Sequence, residues 1–462
     1  MQRFPPRATG VSSLPDDVLL EIFRSYMDQI HHEDAWYKLV HVCRKWRSVV
    51  FSSPRWLHLE LRCTNRRPVK GMLDIWPAAL PIVIVSLTDP CGPGVTNVIA
   101  ALIGHDRVRR INVWGVPNLL LESAAIKKPF PQLTNLTLRS NEENAPVITD
   151  SFLGGSAPRL QSLELTGIPL LFPALGKLLL SSRNLVTFCL WDIPNSGIIS
   201  PGLIVTALSA STMLQQLFIG FRSPRSRADR EHRHPPLFER LVLPSLTKFY
   251  FKGDSEYLED IVGRIDTPAL DRFNITFFTQ LVFNMPLLRD FLSRTTVFRE
   301  PHQARVFFNE PSIEFNLSHY GGIADCRMLE IRILCSMPEW QLSSLAQFCS
   351  IALPPFPTLE RLRIYPGAHF PTDMESSQWL ELFNPFINVK ALVLPLSFAR
   401  RVATALGELT GPTVAEVLPA LRQLSVNETF SHGPFRKIFA QFVTARQLCG
   451  HPVSLNPAEV PA

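Results

Sequence analysis

From residue 108 onward one short pattern keeps returning: an apolar residue, two of any kind, an apolar residue, one of any kind, and a third apolar residue, usually after a proline. It reads Val108-x-x-Ile111-x-Val113, Leu133-x-x-Leu136-x-Leu138, Leu160-x-x-Leu163-x-Leu165, Leu185-x-x-Phe188-x-Leu190, Leu214-x-x-Leu217-x-Ile219 and Leu246-x-x-Phe249-x-Phe251. It goes on as Leu270-x-x-Phe273-x-Ile275, Met328-x-x-Ile331-x-Ile333, Leu359-x-x-Leu362-x-Ile364, Val389-x-x-Leu392-x-Leu394 and Leu421-x-x-Leu424-x-Val426. The starting positions advance by 24 to 32 residues, with one step of 58 that equals two periods. Alternation of this kind predicts a half-buried strand. A unit of this length cannot cover its own apolar side, so neighbours must stack and share one core. In the middle of the long step, Ala304–Phe308 and then Ser312–Leu317 alternate again, which predicts a diverged, hairpin-like unit. Proline-rich stretches such as Pro354-Pro355-Phe356-Pro357 and helical runs such as Glu339 to Cys349 lie between the strands. The expectation is strand, turn, helix, repeated.

A period of this length with this core resembles leucine-rich repeats. The resemblance implies an α/β solenoid, curved, with parallel strands on the concave face and helices outside. Only the unit from Leu133 to Asn141 carries that family's Asn at the ninth position, so the repeats are degenerate and irregular. The residue between the last two core positions should point out of the concave face: Thr137, Glu164, Cys189, Phe218, Tyr250, Asn274, Arg332, Arg363, Val393 and Ser425. Phe218 and Tyr250 fall in adjacent units with Trp191 just before them, an aromatic anchor for a partner. Arg332 and Arg363 take the same position in consecutive units of the pattern, with Lys248, Lys252, Arg272, Arg361 and Lys390 nearby and Glu330 opposing. Paired guanidinium groups suit an acidic or phosphorylated peptide; an ordinary solvated face is the competing reading.

Ahead of the array the chain changes character. Pro15 suits a helix start, and Asp16 and Asp17 meet the positive end of the helix dipole. Val18, Leu19, Ile22, Phe23 and Met27 then form one apolar stripe. Ala35, Trp36, Leu39, Val42, Cys43, Trp46, Val49 and Val50 hold the helical period until Ser52-Ser53-Pro54 stops it, as one helix or one broken in the middle. These apolar residues exceed what so small a unit can bury by itself, so it looks built to dock on something.

Leu14-Pro15, the acidic pair, Ile22, Val42-Cys43 with Trp46-Arg47, and the closing Pro54-x-Trp56 resemble an F-box over residues 12–60. The whole chain resembles the fungal F-box proteins with diverged leucine-rich repeats. That resemblance implies a small three-helix module that binds a Skp-type adaptor, and through it a cullin-based ubiquitin ligase, with the array holding the substrate. The adaptor-facing positions carried over are Leu14, Pro15, Ile22, Val42, Cys43 and Trp46. One departure is the polar link from Ser25 to Trp36, longer than the family's short turn. The alternative is a protein-binding repeat scaffold whose N-terminal helices merely cap the array. Exposure of Leu14, Ile22, Val42 and Trp46 discriminates: burial against the first repeats favours a cap, an open stripe favours the adaptor.

Composition narrows the class. With 46% hydrophobic and 19% charged residues over 462, the chain can bury a large core. A formal charge of +6 is too small to imply a nucleic-acid binder without a concentrated basic face. Eight scattered cysteines include no Cys-x-x-Cys pair, and His31-His32 lacks a third ligand, so reduced thiols and no metal or cofactor are expected. Met1 to Gly10 has no apolar core and Leu165–Leu180 is broken by Pro169, Pro173 and Lys177, which predicts neither a secretory signal nor a membrane span but a cytoplasmic or nuclear protein. No phosphate loop, dinucleotide fingerprint, His-Glu-x-x-His or Gly-x-Ser-x-Gly occurs, so catalysis in its own right is not expected. Residues 1–11 and 451–462 read as disordered tails around the module and a 61–450 array. The arginine-rich stretch 222–236 reads as a loop insertion.

Overall fold

The carbonyl of Pro15 accepts the first helical hydrogen bond, from the Leu19 N–H at 3.1 Å, and α1 runs Asp16–Ile30 with both aspartates in its first turn. In this computed structural model the described residues are 14–30, 35–66, 68–87, 93–140, 147–169, 172–224, 239–319, 327–335, 337–367, 375–427 and 437–457. Helix α1 therefore takes in the first half of the link expected from Ser25 onward, while His31–Asp34 lie outside the described residues. The second apolar run is two helices, α2 (Ala35–Val40) and α3 (Arg44–Ser52), broken at residues 41–43. Cys43 makes the restart: its backbone is extended, at φ −158° and ψ 171°, and its sulfur accepts the Trp46 N–H at 3.5 Å, the role an N-cap oxygen usually fills.

The chain divides into two compact units, Met1–Arg183 and Asn184–Ala462, so the helical module shares its unit with the first repeats. In the first unit β1 (Leu61–Thr64), β2 (Ile82–Ser86), β3 (Val108–Trp114), β4 (Asn135–Arg139) and β5 (Ser162–Thr166) are all parallel and neighbour one another in chain order. Strands β1 and β2 precede the first repeat that the pattern marks. Their cores, Leu61/Cys63 and Ile82/Ile84, lack its full spacing.

The second unit holds β6 (Thr187–Ile193), β7 (Gln216–Phe221), β9 (Lys248–Gly253), β11 (Arg272–Phe277), β12 (Gln303–Asn309), β13 (Ser312–Ser318), β14 (Arg327–Leu334), β15 (Arg361–Tyr365), β16 (Ala391–Pro395), β17 (Gln423–Asn427) and β18 (Ser454–Pro457). Leu241–Val242 (β8) and Ile265–Asp266 (β10) form a separate parallel pair. Spatial order is β6-β7-β9-β11-β14-β13-β12-β15-β16-β17-β18. The diverged unit is indeed a hairpin: β12 and β13 are antiparallel, β13 pairs antiparallel with β14, and β12 pairs parallel with β15. The hairpin precedes β14 in the chain yet lies beyond it in the sheet. Residues 454–457, expected in a disordered tail, extend the sheet through β17↔β18 pairing. Asn141 and most of the arginine-rich insertion lie outside the described residues.

The alternation does what the pattern requires. Leu136, Leu138, Leu163, Phe249, Phe273 and Leu392 are fully buried, while the residues between them stay half-exposed. Adjacent Phe249 and Phe273 stack at 4.9 Å, and Phe291 of the helix Pro286–Arg294 meets Phe273 edge-on at 5.6 Å. Each such ring stabilises the fold by about 1.5–3 kcal/mol through burial. Among the described residues no helix is long and apolar enough to cross a membrane, and no three His, Cys, Asp or Glu side chains gather as a metal site.

Burial also sorts the thiols. Cys43 and Cys449 are exposed; Cys63, Cys335 and Cys349 are buried. Desolvation raises the Cys63 pKa to about 12, against a smaller lowering by Arg107, and raises that of fully enclosed Cys349 as well. A thiol reagent should therefore modify Cys43 and Cys449 in the folded chain and spare Cys63 and Cys349 until unfolding, checked by peptide mass mapping. In the unfolded chain both ionise near the ordinary thiol value. Stability from their burial is thus full below that value and falls as pH rises past it.

Candidate functional site

The helical module has one closed side and one open side. On α1, Leu19 and Phe23 are fully buried, whereas Val18 and Ile22 are 40% and 44% exposed. Val42, in the break between α2 and α3, is 58% exposed, and Pro15 and Cys43 are exposed as well. Leu14 and Trp46 are half-buried. The Trp46 ring packs on Phe23 with centroids 4.7 Å apart, so it is partly a core residue. Lys45 ties α3 to the start of α1, its Nζ donating to the Leu14 carbonyl at 2.6 Å and lying 3.6 Å from Asp16. Arg47 Nε donates to the Val40 carbonyl at 2.9 Å across the break. Val42 is thereby held outward on a braced turn.

The closed side packs on the segment between β1 and β2 through Trp76, which ends the helix α4 (Val69–Ile75). Its indole meets Trp36 edge-on at 5.3 Å, Tyr37 at 5.1 Å and Phe51 at 5.9 Å, while Trp36 Nε1 donates to the Glu60 carbonyl at 3.3 Å. Sequence reading passes over Trp76. Its signal is a lone Trp-Pro closing a short amphipathic stretch.

On the open face of the second unit's sheet the register fixes which side chains are neighbours. One row runs Cys189, Phe218, Tyr250, Asn274, Glu330, Asn316, Arg305, Arg363, Val393, Ser425. The aromatic cluster expected there is present: Phe218 and Tyr250 stack at 4.5 Å with planes 7° apart. Trp191 lies over Gly220, where a Cβ would come within 2.6 Å of the indole, so the glycine is what admits the ring. A second stacked pair, Phe307 with Tyr365 at 4.6 Å and 7°, sits farther along.

The basic pair is different from the one the pattern suggests. Arg332 aligns with Thr276, two residues out of step with Asn274, and the hairpin strands separate it from Arg363. Its guanidinium is held by Glu314 at 2.7 Å and Glu330 at 3.5 Å, and Asn274 Nδ2 donates to Glu330 at 3.2 Å. The cation beside Arg363 is Arg305, its direct cross-strand partner. Gln303, with its amide oxygen turned toward them, accepts from Arg363 Nε at 3.1 Å and Arg305 Nε at 3.2 Å. Like charges directly opposite repel, and among the described residues neither has a carboxylate in ion-pair range.

Residues 11–62 match the F-box-like family. The F-box-like module thus covers α1 to α3 and reaches into β1, two residues beyond the boundary read from the sequence. A search of curated proteins returns no match for the chain. Among solved structures the chain is similar to the leucine-rich repeat-containing protein LegL7 from Legionella pneumophila, at 11% identity over 86% of this chain and 99% of that one, with a TM-score of 0.30. The leucine-rich-repeat character rests instead on the buried apolar positions, the parallel register and the helices between strands.

Proposed function

We propose that this protein is a substrate-recognition subunit of a Skp/cullin/F-box ubiquitin ligase. The F-box-like module binds a Skp-type adaptor and the repeat face holds a protein substrate. The observation that carries this reading is that Val18 and Ile22, one turn apart on α1, and Val42 in the α2–α3 break stay exposed on a module whose Trp36 is already sealed against Trp76. Terminal caps of repeat arrays need a polar outer face, so an apolar one argues against a mere cap. Association covers it. The subunit then lends proximity instead of chemistry: a lysine of the captured substrate is held at high effective concentration near the ubiquitin-charged enzyme. Such a role fits a cytoplasmic or nuclear protein.

The test is co-expression of the full chain with a Skp-type adaptor, followed by size exclusion. A stoichiometric complex supports the reading; free adaptor beside a folded, monodisperse chain removes the link to ubiquitin.

The substrate class is argued from Arg305 and Arg363, which have no carboxylate in ion-pair range among the described residues; the stacked pair Phe307/Tyr365 forms the next row on the same two strands, and uncharged Val393 and Ser425 continue their own row. An acidic or phosphorylated peptide fits that pair. Arg305→Glu with Arg363→Glu should weaken binding of such peptides by about tenfold or more, measured by fluorescence polarisation. Arg332→Gln should change it little, since Glu314 and Glu330 already neutralise that guanidinium. Equal loss in both variants would refute this assignment.

A further inference from the structure

All strands of the first unit point the same way, so the loops entering them lie along one edge of its sheet. Those loops carry arginines. Arg55 follows the F-box-like helices, Arg107 and Arg109 flank the start of β3, and Arg159 precedes β5. Together they line a cavity of about 820 Å³, with His58 and Thr134 also on its wall and Asp106 as its one carboxylate. An adjoining hollow of about 450 Å³ on the sheet face is lined by Arg109 and Arg110, with Glu60 between them. Glu60 is engaged by the Arg110 guanidinium and lies 3.8 Å from Arg109. It leaves the rest of the cluster unneutralised.

We propose that this edge is a binding site for a ligand carrying two or more phosphate groups. Four guanidiniums against one carboxylate leave an excess that a single carboxylate or monoanion would not match. The planar N–H forks of arginine fit phosphate oxygens bidentately. Arg107 adds a second, independent indication. Its Nε and one Nη are shielded from water and have no hydrogen-bond partner among the described residues. Native proteins rarely leave such donors unmet without a reason. The cavity's size is that of small-ligand sites. Because Arg55 and His58 lie at the end of the F-box-like segment and the remaining residues on the repeats, a bound polyphosphate would bridge the module to its array. This inference is independent of adaptor binding.

The probe is inorganic tripolyphosphate, titrated calorimetrically into the full chain at fixed ionic strength, with sulfate and citrate as comparators. Tripolyphosphate should bind saturably and raise the melting temperature, sulfate and citrate far less. Arg107→Gln with Arg159→Gln should lower its affinity by about a hundredfold, roughly tenfold for each charged hydrogen-bonding group. Should that variant melt below the parent, Arg55→Gln, an exposed change, should still lower affinity by about tenfold. Arg305→Glu with Arg363→Glu should leave tripolyphosphate binding intact. Equal affinity in parent and Arg55→Gln, equal stabilisation by all three anions, or loss through the Arg305/Arg363 variant would overturn the proposal. A doubly phosphorylated peptide that binds tighter than tripolyphosphate, and is lost in the same variants, assigns the phosphates to a protein segment. The reverse order assigns a free small ligand.

Discussion

On the proposed reading, Val42→Asp should abolish binding of a Skp-type adaptor while the chain stays folded, and Ile22→Asp should do the same. Both side chains are about half-exposed in the free protein, so replacing them perturbs the fold by no more than about 0.5 kcal/mol. In the complex each would lie at the centre of a desolvated apolar contact. Burying an unpaired carboxylate there costs several kcal/mol, which lowers affinity by a hundredfold or more. Calorimetric titration with a Skp-type adaptor measures the loss, and circular dichroism checks the fold. Trp46→Ala is a poorer test despite the family position, because the ring packs on Phe23 and its removal opens the module's own core. Unchanged affinity in Val42→Asp and Ile22→Asp would mean that any adaptor contact uses another surface.

Arg446→Met should destabilise the second unit by roughly 2–4 kcal/mol. Arg446 lies on the helix Ala440–Leu448 and is wholly enclosed. Its guanidinium donates to the carbonyls of Val414 at 3.0 Å, Leu418 at 3.3 Å, Pro419 at 3.3 Å and Leu421 at 3.2 Å. One of these carbonyls is in the short helix Thr413–Glu416 and the other three belong to the irregular segment before β17, where Leu418 is held at a positive φ of 49°. One planar donor group thus serves a stretch of chain with no ladder of its own. Methionine keeps the volume but provides no donor, leaving acceptors buried and unmet. Denaturant unfolding should show the loss, and hydrogen exchange should rise first around residues 414–424. Arg446→Lys, a single point donor, should recover only part. Wild-type stability in Arg446→Met would show that water reaches those carbonyls.

Much of this architecture is legible in the sequence because it is local. The three apolar positions of each repeat and the break near Val42 are set by side-chain periodicity, and the structure agrees in each unit from Leu133 to Ile275. Where reading by pattern fails, the information is non-local. Apolar residues stand at 326, 328, 329, 331 and 333, so the pattern fits both Met328-x-x-Ile331-x-Ile333 and Cys326-x-x-Leu329-x-Ile331. The spacing favoured Met328, but pairing with β11 puts Leu329 against Phe273 and moves Arg332 one row along. The hairpin's place in the sheet is equally invisible to spacing, which is why Arg332 and Arg363 read as neighbours while Arg305 went unnoticed. The arginine-lined cavity is an intermediate case. Arg107 and Arg159 each stand just before the first apolar position of their repeat, as does Gln132 between them, so reading that column would have shown the edge. Nothing short of the fold predicts that Arg446 lies inside.

The inserted hairpin also governs the order in which the second unit can form. Through β11 each strand finds its neighbour one repeat earlier in the chain, and the array can grow by local steps. Then β12 and β13 emerge with each other as sole partner, because the position next to β11 is reserved for β14, synthesised later. A lone hairpin is marginal in water. Closing β11 on β14 joins residues as far apart as Asn274 and Glu330, 56 positions along the chain. That closure and the pairing of β12 with β15, which brings Arg305 beside Arg363, are the two high-contact-order steps of this unit. Stepwise growth from the N-terminal side is interrupted there: β14 joins β11 to β13, while the C-terminal strands continue from β12, so the hairpin is the hinge between two halves of the sheet that are not consecutive in the chain.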